Sequence, residues 1–281
     1  MADNRRTLVG WVWPPPPIAG RLWIAVVSAA MYSTVVWAVQ PSSDVVHPLW
    51  SSQFALWNTA ILGLLVSFRT KVAYDRWWEG RILWGSLVNH SRNLCLKARE
   101  LVTPDADERR EFAALVTGFA AALMKHLRGS VRLSDVSGFE KQTVDPQHVP
   151  SHLAGRLMGV VVGWRRTGRI DGHMHQIFDT NLNALMDICG ACERIRNTPL
   201  VPSYLSLLRH GLVLGFLVTP WALVEPLGAW VILVLTLVVY FLFGIELTAE
   251  AVEQPFGYDR DDLALETYCE TIRKSANDIL G

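Results

Sequence analysis

Three groupings have residue types and spacings that could do chemistry. Cys189-Gly-Ala-Cys192 has the CxxC spacing of a redox pair or of half a zinc site. No second pair follows it, and it lies in a helical pattern where small residues at i and i+3 share one face, so packing is its expected role. His173-Met-His175 offers two imidazoles at i and i+2. Such a pair converges on a metal only from an extended segment, and no third ligand is spaced nearby. Asp259, Asp261 and Asp262 cluster after Phe256-Gly257; they are a weak calcium candidate, without the EF-hand pattern, and a solvated acidic turn is the expected reading. The sequence has no Gly-rich phosphate loop, no GxSxG and no HExxH. No catalytic residue, resident metal or cofactor is therefore assigned, and the chain is expected not to be an enzyme.

The elements that would position these groups are set by where charge is missing. Of 281 residues 51% are hydrophobic and 19% charged, with 12 Trp, and the mean hydropathy is +0.22. That composition excludes disorder and suggests that part of the chain is not solvated by water. The balance of 26 Lys and Arg against 26 Asp and Glu argues against a nucleic-acid partner. Four scattered cysteines, Cys95, Cys189, Cys192 and Cys269, fit a reducing compartment rather than a disulfide scaffold. The first twenty residues show no apolar core with a cleavage site, so membrane targeting is expected to come from the spans themselves.

Residues 22–40 and 45–68 carry no charge, 204–224 only Arg209 and His210, and 226–245 none. Each run is close to the roughly 20 residues that a bilayer-crossing helix needs. Four spans in two hairpins are expected, with connections near 40–47 and 220–227. Segment 69–203 holds 19 of the 26 Lys and Arg, whereas the two short connections hold none. By the positive-inside rule the termini and the middle segment are cytosolic. The expected organisation is 1–21 as a cytosolic N-terminal segment, 22–68 as helices 1 and 2, 69–203 as a helical cytosolic region, 204–247 as helices 3 and 4, and 248–281 as a cytosolic tail. Within 69–203, apolar residues at i, i+3, i+4 and i+7 predict amphipathic helices, broken at Pro104-Asp105, across 129–150, and at Pro199 and Pro202.

Helix 2 passes without a proline from apolar residues into RTKVAYDRWWEGR, so one continuous helix is predicted to run from the bilayer into the cytosol. Ala60, Leu64 and Phe68 recur at i+4 on one face. By spacing alone that row reads first as an ordinary helix packing face; several copies of it around an axis would instead form a narrow apolar constriction that gates by dewetting.

SFRTKVAYDRWWEGRILWGSLVNHSRNL at 67–94, ERIRNTPLVPSY at 193–204 and EAVEQPFGYDRDDLALE at 250–266 resemble, in order and distance, the signature segments of bestrophins. The signature positions are Arg69, Asp75, Arg76, Trp77, Trp78, Glu79, Pro255, Phe256 and Gly257. The resemblance spans essentially the whole chain. It implies an all-α membrane protein, four transmembrane helices continuous with a helical cytosolic body, assembled as a homopentamer around an ion pathway. It implies a pore neck at Ala60, Leu64 and Phe68 and a cytosolic aperture at Ile195. Ala60 departs from the bulky residue usual at the first neck position, which widens the outer end or shifts it onto Ile61. Arg260 interrupts the acidic run that forms a calcium clasp in animal members, which reads against calcium gating and fits the shorter bacterial type.

The function implied is a passive channel in the inner (plasma) membrane, permeant to chloride and other monovalent anions, with sodium conduction as in some bacterial relatives kept open. Its partners are inorganic ions, the lipid bilayer and further copies of itself. A secondary transporter and a non-conducting scaffold are the alternatives; against coupled transport, Glu225 and Glu246 sit at the ends of the expected spans rather than inside them. The acidic tail, with 8 Asp and Glu in 248–281, is expected to lie on the basic body, of its own or of a neighbouring chain, by charge attraction.

Overall fold

The computed structural model describes residues 16–39, 52–142 and 145–281, and these form helices with no strand. In chain order they are α1 (Pro16–Val39), α2 (Ser52–Lys97), α3 (Ala106–Arg128), α4 (Val149–Arg166), α5 (Gly172–Asn197), α6 (Pro202–Leu227), α7 (Trp230–Val252) and α8 (Leu265–Leu280), with a π-helical turn at Ala98–Val102 and a 3-10 turn at Leu133–Asp135. The chain divides into two compact units: one takes the chain up to Asp75 together with Pro199–Glu253, the other Arg76–Thr198 together with Gln254–Gly281. The expected 40–47 connection and most of segment 1–21 lie outside the described residues.

In the first unit α1 runs along α7 and touches α6. Leu22 and Val26 meet Leu247 near one end; Val36 meets Val224, Val231 and Leu235 near the other. The Tyr32 hydroxyl donates to the Leu217 carbonyl at 2.8 Å and accepts from Trp221 Nε1 at 2.9 Å, so both side-chain polar groups have partners within the protein. α2 packs on α6 through Leu62, Val66, Leu208 and Leu212. Gly215 makes that approach possible: a Cβ there would lie 2.4 Å from Leu62 Cδ1.

Among the described helices, three are long and apolar enough to cross a membrane, covering Ile18–Val39, Pro202–Leu227 and Trp230–Val252. The expected second span is not one of them, so among the described residues the count is three, not four; the first part of that span, 45–51, lies outside them. Residues 52–68 of α2 are charge-free but include Asn58, Thr59, Gly63 and Ser67, and Arg69 and Lys71 follow at once. The expected 220–227 connection is also corrected, because α6 continues through Pro220 and Pro226 to Leu227 and the chain turns at Gly228, with φ 54°. Thr219 Oγ donates to the Gly215 carbonyl at 2.6 Å in the turn before Pro220, which helps keep a helix intact where the proline removes a backbone donor.

The second unit is a helical bundle with one apolar core. α3 packs on α4 and α8, and α4 on α5. The predicted breaks have local causes. Thr103 adopts φ 47°, and Asp105 caps α3 by accepting from the Asp107 and Glu108 amides while Glu108 accepts from the Asp105 amide. Asp171 caps α5 by accepting from the Met174 amide at 2.7 Å.

Candidate ion pathway

α2 is a single helix of 46 residues, as its proline-free sequence predicts. Its two faces differ. Leu62, Val66, Arg69 and Ala73 are buried and form the packing stripe. Ala60, Leu64 and Phe68 are exposed, Leu64 at 57% and Phe68 at 56%. Ile61, the alternative outer position, is exposed too. The three neck candidates therefore form an apolar row that the described residues leave uncovered, and an uncovered apolar row invites association or a dewetted wall.

Arg69 points the other way. It is fully buried; its Nη2 donates to Glu253 Oε2 at 2.6 Å, and its Nε lies 3.6 Å from Glu246 Oε2. Arg209 approaches Glu246 at 3.9 Å and Glu250 at 3.4 Å, while Arg21 grips Glu250 with both terminal nitrogens at 3.2 and 3.1 Å. Arg21, Arg209, Glu246 and Glu250 stand at one end of a largely apolar cavity of about 560 Å³ bounded by α1, α6 and α7. Glu246 directly follows the charge-free run 226–245, as a span-end residue would; α7 continues past it to Val252, and its side chain is 3% exposed. The available signal was Glu246, Glu250 and Glu253 at i, i+4 and i+7 on one helical stripe, opposite three isolated arginines.

The signature residues of the second unit work as clasps. Arg76 donates to the Thr198 and Ile195 carbonyls at 2.6 and 2.5 Å, where the end of α5 leaves carbonyls without helical partners. Trp77 Nε1 donates to the Asp261 carbonyl at 3.0 Å, Trp78 lies under the Arg81 guanidinium at 4.7 Å, and Glu79 pairs with Arg194 at 2.6 Å. Gly80 leaves room for Phe256 and Leu263, which a Cβ would meet at 3.1 and 3.2 Å. Arg128 donates to the Phe256 and Gly257 carbonyls and pairs with Glu266. RWWEG and PFG thus meet in space and hold a turn against the bundle. Asp75, at the other end of the motif, pairs with Lys71 one turn earlier.

Ile195 is placed differently from its expected aperture role. It is 3% exposed and belongs to the core of the second unit. Assembly only removes accessible surface, so a side chain already buried in one chain cannot line an opening in this conformation. Arg194, Arg196 and Asn197, beside it, are exposed.

Of the chemical groupings, Cys189 and Cys192 are fully buried free thiols in the core. Burial, with the Glu193 charge adding, pushes the Cys189 thiol up to about 12, and Cys192 is raised further by the same burial. They pack rather than react. His173 and His175 sit in the first turn of α5 and, among the described residues, are not brought to a third ligand. Asp262 is tied into its own turn, where Oδ2 accepts from the Asp259 amide at 2.7 Å; burial raises its carboxyl. Among the described residues no metal-ligand group includes the acidic cluster. The structure instead joins His126, His148 and Glu193, residues too far apart in sequence to be read as a motif.

A family model described as "Bacterial/Fungal Bestrophin protein" matches residues 16–278. A relative from Nostoc, named voltage-dependent anion channel-forming protein, is 32% identical over 93% of this chain and 88% of its own length. A relative of the same description from Mesorhizobium japonicum is 34% identical over 78% of this chain and 72% of its own. The fold matches crystal structures of a bacterial bestrophin homologue from Klebsiella pneumoniae. One variant has a TM-score of 0.86 at 20% identity over 93% of this chain and 99% of that one; another has 0.87 at 21% with the same coverage.

Proposed function

The chain belongs to the bacterial and fungal bestrophin family, and from that premise we propose that it is a passive, anion-conducting channel of the inner membrane. The observation that carries the reading is the uncovered row Ala60, Leu64 and Phe68 on the face of α2 opposite its packing stripe. Five copies around an axis, the stoichiometry that the family resemblance implies, would turn that row into a neck. Its uncharged walls gate by dewetting and leave ion preference to other parts of the path. The first half of α2 is the fourth span in this arrangement, shielded from lipid by neighbouring copies, which relaxes the demand for a fully apolar helix. The termini and residues 69–203 are cytosolic, following the arginines and lysines. The cytosolic exit is assigned to the exposed end of α5, Arg194 to Asn197, with Ile195 acting behind it as a core residue.

The test is the reversal potential of purified protein in planar bilayers under a NaCl gradient. A value near the chloride equilibrium potential is expected; a value near that of sodium overturns the anion assignment. Leu64→Ala and Phe68→Ala should each raise flux by widening the neck, and unchanged flux in both would remove the neck from the pathway.

A second reading, coupled transport, is favoured by Glu246, an acid buried within an apolar helix beside a cavity. It predicts saturable, proton-driven flux without unitary currents, abolished in Glu246→Gln. Unitary currents in the wild type would exclude it.

A further inference from the structure

The geometry points to a zinc-class metal site in the second unit, formed by His126, His148 and Glu193. His126 Nε2 and His148 Nε2 each lie 2.7 Å from the same oxygen, Glu193 Oε1, and the three ligand atoms fall within 4.8 Å of one another. The imidazoles meet edge to face, with centroids 4.7 Å apart. Three separate elements supply the ligands: the last turn of α3, the residue that caps α4, and α5 shortly before its end. Each is fixed by other contacts. Two residues past His126, Arg128 is anchored to the Phe256 and Gly257 carbonyls, and Arg196 holds the His126 carbonyl itself at 2.6 Å.

Two imidazoles and one carboxylate select borderline ions such as Zn²⁺ or Co²⁺ over Ca²⁺ and Mg²⁺, which prefer oxygen. Tetrahedral bonds of about 2.0–2.2 Å place neighbouring ligand atoms about 3.3 Å apart. The present 2.7 Å contacts therefore need to open by about half an ångström around an ion. Side-chain exposures of 22%, 32% and 28% leave a side open for a fourth ligand such as water.

Without an ion, His148 Nδ1 accepts from the Ser151 amide at 3.0 Å, so its Nε2 carries the proton and donates to Glu193. With an ion on Nε2 the proton moves to Nδ1, and Ser151 Oγ, 2.6 Å away, is placed to accept it. That is the outer-shell hydrogen bond that orients metal-bound imidazoles, at the expense of one helix-cap bond. Glu193 supplies the negative charge. Burial raises its carboxyl, but the hydrogen bonds from His148 and His126 outweigh this and hold it below the ordinary value, so it is ionised at neutral pH. The site stands independently of the ion that the chain conducts.

The test uses full-length protein in detergent, stripped with chelator and titrated with Zn²⁺ against a chromogenic competitor, and with Co²⁺ as a spectroscopic probe. One Zn²⁺ per chain is expected, with tetrahedral Co²⁺ bands and a metal-dependent rise in melting temperature. His126→Ala and His148→Ala should weaken binding by at least about 10-fold, the scale on which even outer-shell changes act. Glu193→Gln, which keeps shape and hydrogen bonding, should weaken it as well, and His173→Ala should leave it unchanged. Absence of tetrahedral Co²⁺ bands in the wild type, or equal Zn²⁺ affinity in wild type and Glu193→Gln, overturns the assignment even if the histidine variants fail to fold.

Discussion

Arg69 shows how one side chain can carry two demands. It follows directly on Phe68, so the residue that ends the apolar row is joined to one turned fully inward, onto Glu246 and Glu253. Burying a guanidinium is costly, and the carboxylates offset the cost only while both sides are present. Arg69→Leu should therefore lower the stability of the folded chain in detergent by about 3–5 kcal/mol, because it leaves buried carboxylates uncompensated. Denaturant unfolding checks this, and a loss below about 1 kcal/mol would mean that the cluster is solvated. The arginine was legible as a signature residue. Its partners were not, because they lie 177 and 184 positions away on a helix that hydropathy reads as a span.

At the scale of elements, periodicity and breakers made most helices legible. Pro104-Asp105, Pro199 and Pro202 mark real boundaries, since proline and capping residues act through their own backbones. Pro220 misled for the same local reason: it looks like a stop, but packing in the first unit keeps α6 helical around it. The α2–α6 approach depends on Gly215. Gly215→Val should strain the pair, since even a Cβ falls 2.4 Å from Leu62 Cδ1, at a cost of about 1–3 kcal/mol. Adding Leu62→Ala should recover part of the loss. A double-mutant cycle reads the coupling, and strict additivity would show that the two residues do not share that contact.

For the whole molecule, the balanced charge hides a segregated one, and the tail does lie on the body. α8 packs on α3 of the same chain, and Arg128 pairs with Glu266. The attachment is mainly apolar rather than electrostatic, through Leu265, Ile272, Ala276 and Leu280, all buried in the core of the second unit. Ile272→Asp should accordingly destabilise that unit by about 3 kcal/mol or more, through an unpaired buried charge. Raising the salt concentration should change the melting temperature little, because exposed ion pairs are worth at most about 1 kcal/mol. A steep fall in melting temperature with salt would restore the electrostatic account.

The sequence by itself determined the helical class, the continuous α2, the family and the apolar row, because each is carried by residues close together in the chain or by segments in fixed order. Only the tertiary structure decided which face of α2 is packed, that Ile195 belongs to a core, that Glu246 and Glu253 meet on Arg69, and that His126 and His148 converge on Glu193. Those facts depend on which elements meet, and contact between distant segments leaves no spacing to read in a single chain.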